Sequence, residues 1–112
     1  MIQAGDKHID GSELLQDCKV AIQRIVPDAE VVLFGSRARG QQHQYSDYDL
    51  LVLVDSPADI AIKEQLVSEI YPLELKAEQM ISLVVYNKQQ WNSLPYKTMP
   101  LHLNIDREGI VI

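Results

Sequence analysis

Two apolar runs constrain the fold of this 112-residue chain more than any other feature. The first run extends from Val31 to Phe34 and the second from Leu50 to Val54, and both are rich in valine and leucine. Short runs of this kind that are bounded by glycine, serine and aspartate are typical of buried strands. We therefore predict two core strands, joined by a polar connection at the edge of a sheet.

A small pair, Gly35 and Ser36, directly follows the first run. Glycine has no Cβ and tolerates otherwise strained dihedral angles, so a phosphate can approach the backbone closely at such a position. We predict a short helix from Gly35 onward, and its N-terminus would add a dipole that favours an anion. Taken alone, a glycine-serine pair after a strand is more often an ordinary turn.

A pair of acids, Asp47 and Asp49, opens the second run. Residues at i and i+2 of a strand point to the same face and lie roughly 7 Å apart along it. Two carboxylates placed in this way can converge on hydrated magnesium, although such a pair alone is more often a solvated strand edge. The joint occurrence of both pairs, with Arg37 and Arg39 between them, indicates a nucleotide site.

The pattern of Gly35-Ser36, ten residues and Asp47-Tyr48-Asp49 resembles that of the DNA polymerase β-like nucleotidyltransferases. The arginine-alanine-arginine-glycine continuation after Ser36 is most similar to the minimal nucleotidyltransferases of bacteria and archaea. The resemblance implies a small mixed sheet flanked by helices, ATP as substrate and Mg²⁺ as cofactor.

The resemblance also implies a role for each matching residue. Asp47 and Asp49 would be the catalytic residues and the metal ligands, while the four nucleotide-binding residues would be Gly35, Ser36, Arg37 and Arg39. For the two arginines a structural alternative is equally open, in which one of them pairs with a carboxylate at the edge of the core.

The wider superfamily adds a third carboxylate from a neighbouring strand, and here the chain departs from the pattern. The strand that should supply it, predicted from Met80 to Tyr86, contains no acid, and Ser82 occupies the polar position. Glu74 and Glu78 lie upstream, where a bend could bring one of them near. Either the site is weakened, or the acceptor brings its own base.

Size and charge limit the partners. The net charge of −6 argues against the broad basic face that holds a long nucleic acid. No stretch has the length of a membrane span or a signal peptide, and the one cysteine, Cys18, lies on a helical apolar stripe, so we expect a cytoplasmic protein with a packed thiol. Residues 1–112 are too few for a separate substrate domain, so we expect a single domain and an acceptor surface on a partner.

Two functions follow from these expectations. Minimal nucleotidyltransferases resemble the antitoxin half of toxin–antitoxin modules whose toxin is a helical HEPN nuclease, and the resemblance implies transfer of AMP from ATP to a tyrosine hydroxyl of that toxin. The alternative is a noncatalytic nucleotide-binding subunit that neutralises a helical partner by binding alone. The oligomeric state stays open.

The remaining elements follow from periodicity and breakers. Residues 1–9 are predicted as a loose leader, and a helix is predicted from a capping box at Asp10 and Glu13 to Pro27. A second long helix is predicted between Pro57 and Pro72. Further segments are predicted as a short helix at 88–94 carrying Trp91, a helical turn at 101–105 and an extended end at 110–112. Helices interposed between strands predict an α/β fold.

Overall fold

A five-stranded mixed sheet forms the centre of the computed structural model, which describes residues 1–6 and 11–112. The strands are β1 (Ile2–Gln3), β2 (Glu30–Phe34), β3 (Tyr48–Val54), β4 (Ile81–Asn87) and β5 (Ile110–Val111). Their spatial order is β1-β5-β2-β3-β4, with β2 antiparallel to both of its neighbours and the pairs β1–β5 and β3–β4 parallel. The predicted α/β fold with a mixed sheet is confirmed.

Helices cover both faces of this sheet. They are α1 (Ser12–Ile25), α2 (Ser36–Arg39), α3 (Ile60–Ala77), α4 (Lys88–Trp91) and α5 (Pro100–Glu108), with single 3₁₀ turns at Ala4–Asp6 and Tyr96–Thr98. The two long helices, α1 and α3, pack against each other on one face, and the shorter α4 and α5 lie on the other.

Side chains along β2 and β3 point alternately to the two faces of the sheet, and this alternation divides the core into two clusters. The α1–α3 face buries Leu33, Leu50 and Val52 against helical residues such as Ile22 and Leu66. Successive strand residues point to opposite faces, so the neighbours of these residues face the other way.

The second cluster lies between the sheet and α4 and α5. Val32, Leu51 and Leu53 pack there against Trp91 and Ile105. The Trp91 ring also stacks on the buried His102 of α5, with ring centroids 4.4 Å apart. The sheet is therefore covered on both faces.

The predicted end of the second long helix at Pro72 is wrong. The helix begins at Ile60, where the Asp59 side chain accepts a hydrogen bond from the Ile62 N–H at 2.9 Å, and it continues through Pro72 to Ala77. Proline removes one helical hydrogen bond. The residues beyond it, including Leu73, pack against the α1–α3 cluster, and this burial outweighs the missing bond.

The predicted loose leader is wrong for residues 1–6. Ile2 and Gln3 pair with β5, the Ile2 N–H donates to the Gly109 carbonyl at 3.1 Å, and the Met1 ammonium donates to the Asp106 carbonyl at 2.9 Å. Residues 7–9 and the predicted capping residue Asp10 lie outside the described residues. The described cap of α1 is Gly11, in the left-handed region.

Cys18 is fully buried on the inner side of α1, as predicted. Burial, with smaller contributions from the charges of Asp17 and Glu74, raises the pKa of its thiol to about 12. Among the helices of the described residues, none combines the length and the apolar character needed to cross a membrane.

Candidate nucleotide site

The pairing of β2 with β3 brings the two sequence pairs together. Phe34, the last residue of β2, lies opposite Asp49, near the start of β3. Gly35 and Asp47 therefore lie at the same end of the sheet. The ten residues between the pairs form the single turn of α2 and a loop that returns to β3.

Gly35 lies directly against Asp49. Its backbone has φ 79° and ψ −161°, and a Cβ at this position would lie 2.3 Å from the Asp49 Oδ2 atom. Only glycine combines this backbone conformation with this approach. The glycine that was predicted to admit a phosphate also admits the Asp49 carboxylate.

The turn of α2 fixes the backbone that follows Gly35. The Gly35 carbonyl accepts hydrogen bonds from the N–H groups of Ala38 and Arg39, both at 3.1 Å. The first two helical N–H groups, those of Ser36 and Arg37, precede these bonds and lie at the tip of the turn. The predicted short helix is confirmed, and its tip adjoins Asp49.

The two aspartates lie close enough to affect each other. The pKa of Asp49 is raised, first by its partial burial and then by the charge of Asp47, while Arg39 acts in the opposite direction and Glu108 adds a small further increase. Asp47 itself is exposed. Two repelling carboxylates with oxygen donors and one exposed member fit a hard divalent cation such as Mg²⁺, which would relieve the repulsion.

Arg39 is held by a carboxylate. Its Nη1 lies 2.8 Å from the Glu108 Oε2 atom at the end of α5, and its Nε donates to the Gln41 Oε1 atom at 3.0 Å. The arginine side chain is 44% exposed and the glutamate 13%. This pair matches the structural alternative for one of the two arginines, and it also keeps the Arg39 guanidinium beside the acid pair.

Arg37 has other partners. Its Nε donates to the Ser46 carbonyl at 2.8 Å, its Nη2 donates to the Gln79 Oε1 atom at 3.1 Å, and its Cζ atom lies 4.0 Å from the centre of the Tyr48 ring. These contacts join α2 to the loop and to the start of β3. The guanidinium is thus used within the protein.

Ser82 lies where the sequence predicts it. It is in register with Asp49 on the neighbouring parallel strand and is exposed, and strands in a sheet lie about 4.8 Å apart. Glu74 is bound elsewhere, because its Oε2 accepts the Ile81 N–H at 2.9 Å, and Glu78 ends α3. Within residues 1–6 and 11–112, no three metal-binding side chains are grouped closely enough to hold a metal ion.

Three residues of the site are absent from the sequence prediction. Glu108 pairs with Arg39, Gln79 accepts from Arg37, and the Tyr48 ring supports the Arg37 guanidinium. Tyr48 could have been found, because a tyrosine between two outward aspartates must point into the opposite, buried face. Glu108 is 69 residues from Arg39 in the chain, and no local pattern connects them.

A mixed sheet with a glycine-serine turn packed against Asp49 is the arrangement that the resemblance to the nucleotidyltransferases implies. The family model for the nucleotidyltransferase domain matches residues 15–103, so the match includes the glycine-serine turn, both arginines and both aspartates, while Glu108 lies beyond it. The chain belongs to this nucleotidyltransferase family.

Two relatives have names that specify the acceptor class. The Haemophilus influenzae protein named "Probable protein adenylyltransferase MntA" is 40% identical over 55 residues, which are 49% of this chain and 48% of that protein. The Methanocaldococcus jannaschii protein named "Putative protein adenylyltransferase MJ0141" is 33% identical over 78 residues, which are 68% of this chain and 79% of that protein. The chain thus spans about half of the length of the Haemophilus influenzae relative.

A solved structure shares the fold. A crystal structure of a toxin-antitoxin with AMP-PNP contains a chain that matches 86% of this chain, with a TM-score of 0.59. The match covers 70% of that chain at 22% sequence identity. This likeness establishes the fold and agrees with the small mixed α/β architecture described above.

Proposed function

We propose that the chain is a magnesium-dependent protein adenylyltransferase that transfers AMP from ATP to a hydroxyl of a helical partner and acts as the antitoxin of a toxin–antitoxin pair. The acceptor that we propose is a tyrosine of a HEPN-type toxin encoded beside it. Support comes from the family, from the names of the two relatives and from the toxin-antitoxin neighbour.

The close approach of Gly35 to Asp49 is the observation that carries this proposal. Because the two groups touch, a triphosphate held at the turn of α2 would reach the acid pair without any rearrangement of the sheet. Asp47 and Asp49 would hold Mg²⁺, and the N–H groups of Ser36 and Arg37 with the Ser36 hydroxyl would bind terminal phosphate oxygens. Arg39 would add positive charge.

The transfer would exchange the phosphoanhydride bond between the α- and β-phosphates of ATP for a phosphate ester bond to the acceptor. The acceptor oxygen forms a bond to the α-phosphorus, the bond from this phosphorus to the bridging oxygen breaks, and pyrophosphate leaves with the electron pair. The hydroxyl proton passes to solvent. Bound Mg²⁺ would neutralise part of the phosphate charge. The protein would orient the triphosphate through the turn of α2 and through Arg39.

Incubation of the purified pair with ATP and Mg²⁺ tests the proposal. We expect the mass of the partner to increase by one adenylyl group, or by several if the addition repeats, and its nuclease activity to fall. Asp47→Asn should abolish the mass change and leave the complex intact. Asp55→Asn, at the far end of β3, is the matched control and should transfer AMP normally. A partner of unchanged mass and unchanged activity would refute the antitoxin assignment.

A second candidate is a noncatalytic subunit that inhibits the partner by binding alone. Ser82 favours it, because this residue occupies the position beside Asp49 where the superfamily places a third carboxylate. Inhibition of the partner without any change in its mass would establish this alternative in place of the enzyme.

A further inference from the structure

The guanidinium of Arg37 contacts the loop before β3, the first residue of β3 and a residue just before β4. Its Nε and Nη2 atoms donate to the Ser46 carbonyl at 2.8 Å and to the Gln79 side chain at 3.1 Å, and Nη2 also lies 3.5 Å from the His43 carbonyl. Its flat side lies on the Tyr48 ring. Arg37 itself belongs to α2, so these contacts tie α2 to the returning loop and to the residues before β4.

The contacts of Arg37 bracket Asp47. Ser46, whose carbonyl accepts at 2.8 Å, directly precedes the aspartate, and Tyr48, which carries the cation–π contact, directly follows it. Tyr48 is only 4% exposed, and its N–H donates to the Met80 carbonyl at 2.9 Å. An exposed aspartate at the start of a strand is thereby fixed on both sides by one side chain.

We infer that Arg37 is a positioning residue for the metal site: its guanidinium holds the main-chain carbonyl of Ser46 before Asp47 and the ring of Tyr48 after it, and so directs this carboxylate, together with Asp49, toward a divalent cation. This role rests on the proposed function and differs from the phosphate contact that the family resemblance implies. In the metal sites of other proteins, loss of a group that orients a ligand weakens metal binding by about 10- to 100-fold.

The geometry requires arginine. A guanidinium is planar and donates in several fixed directions, so it can bind a carbonyl and an amide oxygen in its plane while its face lies on an aromatic ring. A lysine at position 37 would keep the positive charge, but its single ammonium group cannot reproduce the fork. Arg37→Lys therefore separates positioning from charge.

Arg39 is the matched comparison, two residues further along the same turn. Its guanidinium is more exposed and pairs with Glu108, which is not a neighbour of Asp47 in the chain. Arg39→Gln removes a positive charge from the neighbourhood of Asp49, so it should leave the affinity for a cation unchanged or increase it.

Titration of the full chain with Mn²⁺ alone, followed by the electron paramagnetic resonance signal of the free ion, tests the inference. We expect Arg37→Lys to weaken Mn²⁺ binding by about 10-fold or more. Gln79→Ala, which removes one of the acceptors, should have a smaller effect in the same direction. Arg39→Gln should bind Mn²⁺ at least as tightly as the natural chain.

Folding is checked on the same samples. Trp91 lies in the cluster beneath α4 and α5, further along the sheet face that carries the acids, and its fluorescence and thermal midpoint should identify any variant that is unfolded rather than misaligned. If Arg37→Lys does not fold, the folded Gln79→Ala variant decides the question. Natural Mn²⁺ affinity in a folded Arg37→Lys, or in Gln79→Ala in that case, would overturn the inference.

The inference and the proposed function can fail separately. If the natural chain binds Mn²⁺ and Arg37→Lys binds it weakly, while no AMP is transferred, the positioning role stands and the adenylyltransferase proposal fails. If AMP is transferred and Arg37→Lys keeps its Mn²⁺ affinity, the adenylyltransferase proposal stands and the positioning role fails. A natural chain that binds no Mn²⁺ would contradict the positioning role.

Discussion

At the scale of single residues, the position of the Asp49 carboxylate depends on the glycine at position 35. The glycine holds a backbone conformation that other residues rarely adopt, and its missing Cβ leaves the space that the Asp49 carboxylate occupies. The carboxylate is in turn partly buried and close to the charge of Asp47, so its ionised form costs the folded state free energy. Such local conflicts are typical of functional sites.

Asp49→Asn should stabilise the ligand-free protein at neutral pH. Burial and the charge of Asp47 raise the pKa of Asp49 on folding, so ionisation of this carboxyl lowers the stability of the folded state as pH rises through that pKa. An asparagine carries no charge and avoids this loss. Thermal melts at neutral and acidic pH check the sign, because the advantage of the variant should disappear at acidic pH.

The same variant should lose its response to ATP and Mg²⁺. A ligand at a hundredfold excess over its dissociation constant stabilises a folded protein by about 2.7 kcal/mol, and Asp49→Asn should remove most of this increment. Asp55→Asn is the control and should keep it. A variant that melts at a lower temperature without ligand would identify Asp49 as a structural residue instead.

Gly35→Ala should be far more damaging than Gly40→Ala. Both glycines have positive φ, but a Cβ at Gly40 meets no atom within 4 Å, whereas one at Gly35 meets Asp49. We expect a cost of about 1 kcal/mol at Gly40 from backbone strain and about 2–5 kcal/mol at Gly35 from strain and overpacking. Chemical denaturation measures both, and equal costs would contradict the packing of Gly35 on Asp49.

At the scale of elements, the pairing of β3 with β4 determines which side chain lies beside Asp49. Parallel register places Asp49 beside Ser82 and continues with Leu51 beside Val84. The face that carries the acids at one end of the sheet therefore becomes the buried α4–α5 face further along. A residue introduced at position 82 reaches the site without disturbing the core.

Ser82→Asp should create a stronger site for a second metal ion. A third carboxylate on the neighbouring strand would share a second cation with the pair, so we expect two Mn²⁺ ions rather than one in the nucleotide complex. Without metal, like charges on adjacent strands should lower stability by about 0.2–1 kcal/mol. Ser68→Asp, exposed on α3, is the control, and an unchanged metal count in Ser82→Asp would contradict the register argument.

Local signals predicted the elements of the site well. The bounds of β2 and the start of the α2 turn follow from the apolar run and from Gly35, and the position of Ser82 follows from strand order. The extension of α3 beyond Pro72 could not be predicted, because it depends on packing of Leu73 against α1 and the sheet. The Arg39–Glu108 pair and the contact of Arg37 with Gln79 join distant parts of the chain, and no periodicity reports them.

At the scale of the whole molecule, the two clusters share the same strands. Leu50 and Val52 belong to the α1–α3 cluster, while Leu51 and Leu53 between them belong to the α4–α5 cluster. A loss of packing on one face therefore displaces residues that support the other. Such a core is expected to unfold as one cooperative unit.

Two probes can test this cooperativity independently. The single tryptophan, Trp91, reports on the α4–α5 cluster, and far-ultraviolet circular dichroism is dominated by the long helices α1 and α3 of the other face. We expect both signals to change at the same denaturant concentration in the natural chain. In Leu51→Ala, both should shift together by an amount equivalent to about 2–5 kcal/mol. Separate transitions would show that the faces unfold independently.

The buried position of Cys18 has a practical consequence. Its thiol is fully covered, and burial raises its pKa to about 12, so at neutral pH it is both protonated and out of reach of a maleimide. It is also the only cysteine in the sequence. A cysteine introduced at the exposed Ser82 would be the one thiol that reacts, and a fluorophore attached there could report the arrival of a nucleotide in real time without prior removal of the natural cysteine.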